Sequence, residues 1–139
     1  MNDTFLPGTK LQKDLNDVLP RFRKHPVALV CGIAEIYLRI EVSPKDRPYL
    51  RFLWGSLEKE KEPKEFEFNR VVFGINSSPF QAQFVAQANA GKHQNEFPMA
   101  AETVLKSTYM DESMDSEADD NQALELYSQL DKLWSRSGM

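Results

Sequence analysis

The stretch STYMDESMDS, residues 107–116, holds the pattern on which both the fold and the chemistry of this chain depend. Strand-forming residues lead into the acidic pair Asp111-Glu112, and a polar run follows. The stretch therefore predicts a β-hairpin with two carboxylates at its tip. An acidic turn is commonly a solvated loop, but adjacent carboxylates are also the hard oxygen ligands that Mg²⁺ prefers. The rest of the sequence has to distinguish a loop from a metal platform.

Length and composition are those of an ordinary globular domain. The 139 residues are enough for one hydrophobic core, and 41% of them are hydrophobic and 27% charged. The single cysteine, Cys31, excludes an internal disulfide and a multi-cysteine zinc cluster, and favours a reducing intracellular setting. The N-terminus lacks the apolar core of a signal peptide, and no apolar run approaches the roughly 20 residues that span a bilayer. We therefore expect an intracellular protein without a membrane partner.

The charge is distributed unevenly along the chain. Residues 1–75 contain 13 basic and 11 acidic side chains, whereas residues 76–139 contain 4 and 10, and the net charge is −4. A free-standing nucleic-acid-binding protein usually presents a basic surface, because contacts to phosphate dominate its affinity. The charge balance predicts that this chain handles nucleic acid only with help from other parts. No Ser-His-Asp, Cys-His or Walker pattern suggests a different catalytic site.

Hydrophobic periodicity predicts four helices. The leading helix spans residues 9–24, with Thr9 as its N-cap and a kink or end at Pro20. The other three are predicted over residues 79–91, 98–107 and 119–138. Capping and breaking residues mark their ends, namely Ser77 or Ser78, Gly91, Asp119 and Gly138.

Strands are predicted between the first two helices. A continuous apolar run after Pro26 predicts a buried strand, a turn follows at residues 31–35, and alternation over residues 37–42 predicts a second strand. Two further strands are predicted at residues 50–54 and 66–74. The mixed-charge segment 58–67 is predicted to be a solvated loop next to them. The whole pattern predicts an α+β fold, in which an antiparallel sheet has helices packed on one face.

Three stretches, in this order, resemble the palm of a reverse transcriptase. They are VALVCGIAEIYLRIEV at 27–42, VVFGINSSPFQAQ at 71–83 and TYMDES at 108–113. The stretches LQKDLNDVLPRFRKHP and DRPYLRFLW make the chain similar, over essentially its whole length, to Bel/Pao-type LTR retroelements. The resemblance implies an RNA-directed DNA polymerase that uses two-metal nucleotidyl transfer of deoxynucleoside triphosphates. It further implies one partial fingers–palm domain over 1–139, comprising a leading helix at 1–25, a core with motifs A, B and C at 26–116, and a following helix at 117–139.

The resemblance also implies roles for individual residues. Asp111 and Glu112 match the acidic pair of the Tyr-x-Asp-Asp hairpin, which would hold Mg²⁺ or Mn²⁺ together with the backbone of Ile33. Tyr37 resembles the aromatic side chain that packs under the deoxyribose and excludes a 2′-hydroxyl. The other implied nucleotide-binding residues are Ile33, Ala34, Glu35, Ile36, Phe73 and Gly74, and the implied template contacts are Ser78 and Pro79.

The chain departs from the family pattern at two positions. With Tyr37 aligned on the sugar-sensing aromatic, the essential aspartate of the first motif falls on Gly32, which has no side chain to bind a metal. Glu112 replaces the second aspartate of the hairpin and shifts its oxygens, and misplacements of about 1 Å can cost about 10²-fold in rate. Cys31 and Glu35 are the nearest side chains that could substitute for this aspartate. Cys31 is the neighbour of Gly32 in a strand, so its side chain is expected to point to the opposite face. Glu35 falls where the family places the triphosphate, so we expect a catalytically impaired copy.

Three interpretations remain open at this point. The chain is the central region of a reverse transcriptase impaired at Gly32, or a degenerate or co-opted fragment that binds protein or nucleic acid without catalysis. The third is recent decay or deliberate inactivation in an otherwise intact element. The implied partners are an RNA or DNA template–primer, a deoxynucleoside triphosphate, and either the remaining polymerase domains or a second copy. The implied location is the cytoplasm, a retroelement particle or the nucleus.

Overall fold

The structure is a computed structural model that describes residues 5–55 and 62–138. This part of the chain has an α+β fold with five helices and small antiparallel sheets, which confirms the predicted class. None of its helices is long and apolar enough to cross a membrane. In chain order the elements are α1 (Leu15–Phe22), β1 (Val27–Gly32), α2 (Ile36–Arg39), a 3₁₀ turn (Arg47–Leu50), β2 (Arg51–Trp54), β3 (Lys64–Glu67), α3 (Ser78–Lys92), α4 (Pro98–Lys106), β4 (Thr108–Tyr109), β5 (Glu112–Glu117) and α5 (Asp120–Ser137).

The larger sheet has the strand order β1-β5-β4, and both pairings are antiparallel. β1 and β5 pair along six residues, from Val27 opposite Glu117 to Gly32 opposite Glu112. β4 and β5 form the predicted hairpin, in which Tyr109 lies opposite Glu112. Asp111 therefore lies in the turn and Glu112 is the first residue of β5, which places the acidic pair at the hairpin end that the sequence predicts.

The smaller sheet is a separate β2–β3 hairpin, whereas the sequence predicted a single sheet. The predicted strand at residues 66–74 is correct only at its start, because β3 ends at Glu67 and Arg70 makes an isolated bridge to Glu41. Of the predicted loop at 58–67, residues 58–61 lie outside the described residues. Residues 64–67 are paired strand, because Phe66 stacks against Phe52 across the ladder.

The strand predicted over residues 37–42 is wrong, since the chain forms the short helix α2 there. Ile33, Ile36 and Ile40 are all buried in the same hydrophobic core. Ile36 lies in α2 and Ile40 at its C-cap, and their spacing of four residues brings both to one side of the helical turn. The alternating pattern of residues 37–42 concealed this spacing, because it is equally compatible with a half-buried strand.

Helix boundaries differ from prediction at two places. α1 begins at Leu15 with Asp14 at its N-cap, not at Thr9, and contains Pro20. The residues before α1 lie on α3 instead, where the Leu11 carbonyl accepts a hydrogen bond from the Gln87 side chain at 3.2 Å. α3 continues through Gly91 to Lys92, whereas α4 and α5 match their predictions, with Asp119 and Gly138 capping α5.

The hydrophobic core lies between the larger sheet and helices α3, α4 and α5. Leu29 and Cys31 of β1 pack against it from the sheet. α3 contributes alanines at every fourth position, and these small side chains allow neighbouring helices to approach closely. The alanines are Ala82, Ala86 and Ala90.

A buried carboxylate ties β5 to α4 and α1. Asp115 accepts hydrogen bonds from the hydroxyls of Thr103 and Ser107, each at 2.9 Å, and from the backbone N–H of Ser116 at 3.0 Å. The Arg21 guanidinium lies 3.4 Å from the same carboxylate. These bonds satisfy a charge that would otherwise be costly to bury, and they fix α4 against the sheet.

We expect Asp115→Ala to lower the free energy of unfolding by about 2–3 kcal/mol, because it leaves buried hydroxyls and a guanidinium without their acceptor. Glu102→Ala is the matched control, since Glu102 also contacts Arg21, at 3.3 Å, but its side chain is 52% exposed. That variant should lose less than about 1 kcal/mol. Urea unfolding measures both values, and equal losses would contradict the role assigned to Asp115.

Candidate functional site

The pairing of β1 with β5 brings three predicted site residues together. Gly32 lies directly opposite Glu112, so the two residues share one face of the sheet. That face is turned away from the core, and both residues are exposed. Asp111 lies beside them, because its carbonyl oxygen accepts a hydrogen bond from the Ile33 N–H at 3.0 Å. The end of β1 and the acidic hairpin tip therefore form one continuous exposed surface.

The backbone at Gly32 does not require glycine. A Cβ built at this position would meet only the Asp111 carbonyl oxygen, at 4.0 Å, which is ordinary van der Waals contact. Its φ angle also lies outside the left-handed region that favours glycine. A larger residue at position 32 would therefore project from the exposed face beside Glu112.

Neither Cys31 nor Glu35 adds a carboxylate beside Asp111 and Glu112 on the exposed face. Cys31 points to the opposite face, where it packs against the hydrophobic core, and burial raises the pKa of its thiol, with a smaller contribution from Asp131. Glu35 is exposed at the N-cap of α2, in the left-handed backbone conformation with φ of 56°. The neighbouring Ile33 and Ile36 bury their side chains, whereas Ala34 is exposed.

A cavity of about 220 Å³ adjoins the acidic tip. Tyr37 and Phe73 form one wall of the cavity. The centroids of their rings are 4.7 Å apart, in an edge-to-face arrangement. Asp111 and Met110 of the hairpin form another part of its lining. The pKa of Tyr37 is raised, first by burial and second by the negative charge of Asp111. The shift favours the protonated phenol, which is a hydrogen-bond donor and acceptor.

The remaining predicted residues lie at the start of α3. Gly74 adopts φ of +82°, a conformation that L side chains rarely adopt. Ser78 is buried, and its hydroxyl donates to the Val72 carbonyl at 2.6 Å. Pro79 is exposed and lines the cavity next to Tyr37. Pro79 is thus the accessible member of the predicted template-contact pair.

The carboxylates at the tip do not fit a pair of divalent cations. The family pattern described above uses three carboxylates, and only Asp111 and Glu112 are present here. Across residues 5–55 and 62–138, no three His, Cys, Asp or Glu side chains come close enough together to hold a metal ion. The backbone carbonyl of Ile33, which the resemblance implies as a further ligand, is a neutral oxygen and would not replace the charge of a third carboxylate.

Two glutamines of the cavity were missed by the sequence analysis. Gln83 lies within the second family-like stretch, and its side chain donates to the Met110 carbonyl, which fixes the hairpin against α3. Gln12 reaches the cavity from the segment before α1. No local pattern marks Gln12, because its position depends on how a non-helical segment packs on α3.

No protein-family model matches the chain, and no curated protein matches it.

We expect Gly32→Ala to keep or raise the free energy of unfolding, by roughly 0.5 kcal/mol, because the site has room and glycine weakens a strand. Gly8→Ala is the contrasting variant, since Gly8 has φ of +79° and a Cβ there would overlap the Phe80 ring. Gly8→Ala should lower the free energy of unfolding by more than about 1 kcal/mol. Chemical unfolding of both variants tests this, and a destabilised Gly32→Ala would contradict the open space at position 32.

We expect Asp111→Asn to lower the pKa of Tyr37, because it removes the charge that helps to raise it. The pKa should stay above its ordinary value, since burial is the larger cause. Glu112→Gln is the control, as Glu112 does not contribute to the Tyr37 shift. An NMR titration of the tyrosine ring carbons measures these values, and an equal response to both variants would contradict the described position of Asp111.

Proposed function

We propose that this chain is the palm region of a reverse-transcriptase-type RNA-directed DNA polymerase in which nucleotidyl transfer is lost and a nucleoside pocket is kept. One observation supports this most strongly. Gly32 lies directly opposite Glu112 and next to Asp111, where an open backbone position faces the acidic tip. The strand end and the hairpin tip that the resemblance links to catalysis are thus adjacent in space, and one carboxylate is missing between them.

The missing carboxylate accounts for the proposed loss of activity. Two-metal sites stabilise both the attacking and the leaving oxygen of a phosphoryl transfer. Each 1.36 kcal/mol of lost transition-state stabilisation costs tenfold in rate. The remaining carboxylates do not fit a pair of cations, so we derive no catalytic step for the chain as it stands.

The backbone around the site supports a specialised role for this region. Among the described residues, the non-glycine positions with left-handed φ angles are Glu35 and Met110, at 56° and 57°. One follows β1 and the other forms the hairpin turn, so both flank the vacated position. Such conformations are unfavourable for ordinary side chains, and they concentrate at functional sites.

The proposed partners follow from the pocket and from the charge. A deoxynucleoside triphosphate would place its sugar against Tyr37, as the resemblance implies. A template–primer would approach from the exposed face of β1 and β5, past Pro79. Because the net charge is −4, we propose that other polymerase segments provide most of the contacts to phosphate.

A second candidate function is a binding module that uses no catalytic site. The β2–β3 hairpin favours it, because several large apolar side chains are exposed there and such patches mark interaction sites. They include Leu53 and Trp54, which are 66% and 68% exposed, and Phe66, which is 46% exposed. Repair of Gly32 separates the two candidates, since only the polymerase proposal predicts a gain of activity.

The test is primer extension on poly(rA)/oligo(dT) with the chain, Gly32→Asp, and Gly32→Asp combined with Glu112→Asp. All three are carried in the same larger polymerase, so that fingers and thumb segments are present. We expect extension only from the repaired versions, because they restore the third carboxylate. Gly32→Asp combined with Asp111→Asn is the matched control and should be inactive.

Two outcomes would contradict the proposal. Extension by the unrepaired chain would mean that Gly32 does not occupy the catalytic aspartate position. Failure of both repaired versions, at normal stability, would mean that the tip is not a polymerase site.

A further inference from the structure

The cavity beside the acidic tip suits an uncharged ligand group. Its walls are mainly apolar and aromatic, and Asp111 is the charged side chain among its lining residues. No basic side chain of the described chain lines it, so a triphosphate would gain nothing by entering. Its volume of about 220 Å³ is below the range of about 300–1,000 Å³ that is typical for drug-sized ligands. The cavity therefore accommodates part of a nucleotide, and its chemistry selects the nucleoside part.

Gln12 lines this cavity and also a neighbouring cavity of about 240 Å³ beside the segment before α1. Its carboxamide makes no hydrogen bond to another residue in the part of the chain that the structure describes, although the residue is half-buried. Gln83, by contrast, is buried and already donates to the Met110 carbonyl. A carboxamide provides a donor and an acceptor side by side, which matches the polar edge of a nucleobase or a sugar hydroxyl.

The backbone before α1 holds Gln12 in place. The Gln87 side chain of α3 donates to the Leu11 carbonyl, one residue before Gln12. Four residues earlier than Gln12, Gly8 lies directly against the Phe80 ring of α3, at a distance that only glycine permits. Two contacts with one helix thus fix the position of this segment, which limits the freedom that Gln12 would lose on binding a ligand.

We propose that Gln12 is a specificity-determining residue that hydrogen-bonds the uncharged nucleoside part of a nucleotide in this cavity. The inference rests on the proposed function, because it assigns the ligand class to the same site. Gln12 acts on binding and takes no part in a chemical step. It lies in the leading stretch LQKDLNDVLPRFRKHP, to which the resemblance assigns no nucleotide-binding residue.

The test uses the ¹⁵N-labelled chain, titrated separately with thymidine, dTTP and inorganic tripolyphosphate. We expect thymidine and dTTP to shift the side-chain amide resonances of Gln12, and tripolyphosphate to leave them in place. Gln12→Ala should weaken thymidine binding about three- to tenfold, the value of one neutral hydrogen bond. Gln122→Ala is the control, because Gln122 is an exposed glutamine on α5. This variant should bind thymidine with the same affinity as the unmodified chain.

A second variant tests whether the segment positions Gln12. Gly8→Ala should displace the segment from Phe80 and weaken thymidine binding about as much as Gln12→Ala. The double variant Gly8→Ala with Gln12→Ala should bind no more weakly than either single variant, because both remove the same hydrogen bond. Additive losses would overturn the positioning argument.

The results separate this inference from the proposed function. Equal thymidine affinity of the chain and of Gln12→Ala would overturn the role of Gln12 and leave the nucleoside pocket intact. If neither thymidine nor dTTP shifted any resonance of the cavity residues, the proposed pocket itself would fail. Shifts with tripolyphosphate alone would overturn the ligand class, because they would indicate a phosphate site.

Discussion

The antiparallel pairing of β1 with β5 is the constraint on which the rest of the structure depends. On one face of this pair, Leu29 and Cys31 meet the hydrophobic core and Asp115 is bonded to α4. On the other face, Gly32 and Glu112 are exposed opposite each other. A slip of one residue would exchange the two faces and bury the wrong set. The same register therefore sets the core and the candidate site together.

The elements that depend on local patterns could be predicted from the sequence. The acidic hairpin, α4 and the capped helix α5 all match, because turn and capping residues act on their neighbours. The strand predicted at 37–42 was wrong, since burial of Ile36 and Ile40 outweighed an alternating pattern. The proximity of Gly32 to Asp111 and Glu112 was predictable only through the family resemblance. Gln12 was not predictable, because its position results from packing between segments distant in the chain.

The candidate site combines two parts whose physical demands differ. An apolar cavity with the Tyr37 and Phe73 rings needs only shape and one or two polar groups to bind an uncharged ligand. A cation pair needs several carboxylates in a fixed arrangement, and the loss of one changes the total charge as well as the geometry. Under the proposed function, a single substitution at position 32 would therefore abolish chemistry while the fold and the pocket stay intact. The open space at Gly32 is consistent with this separation.

We propose above that Gly32 occupies a vacated carboxylate position in a site for two cations. Electron paramagnetic resonance with Mn²⁺ and dTTP tests this directly, because two Mn²⁺ ions about 3.5–4 Å apart give a spin-coupled spectrum. We predict a coupled spectrum for Gly32→Asp and none for the unmodified chain. A coupled pair in the unmodified chain would contradict the account, and so would its absence from a folded Gly32→Asp protein.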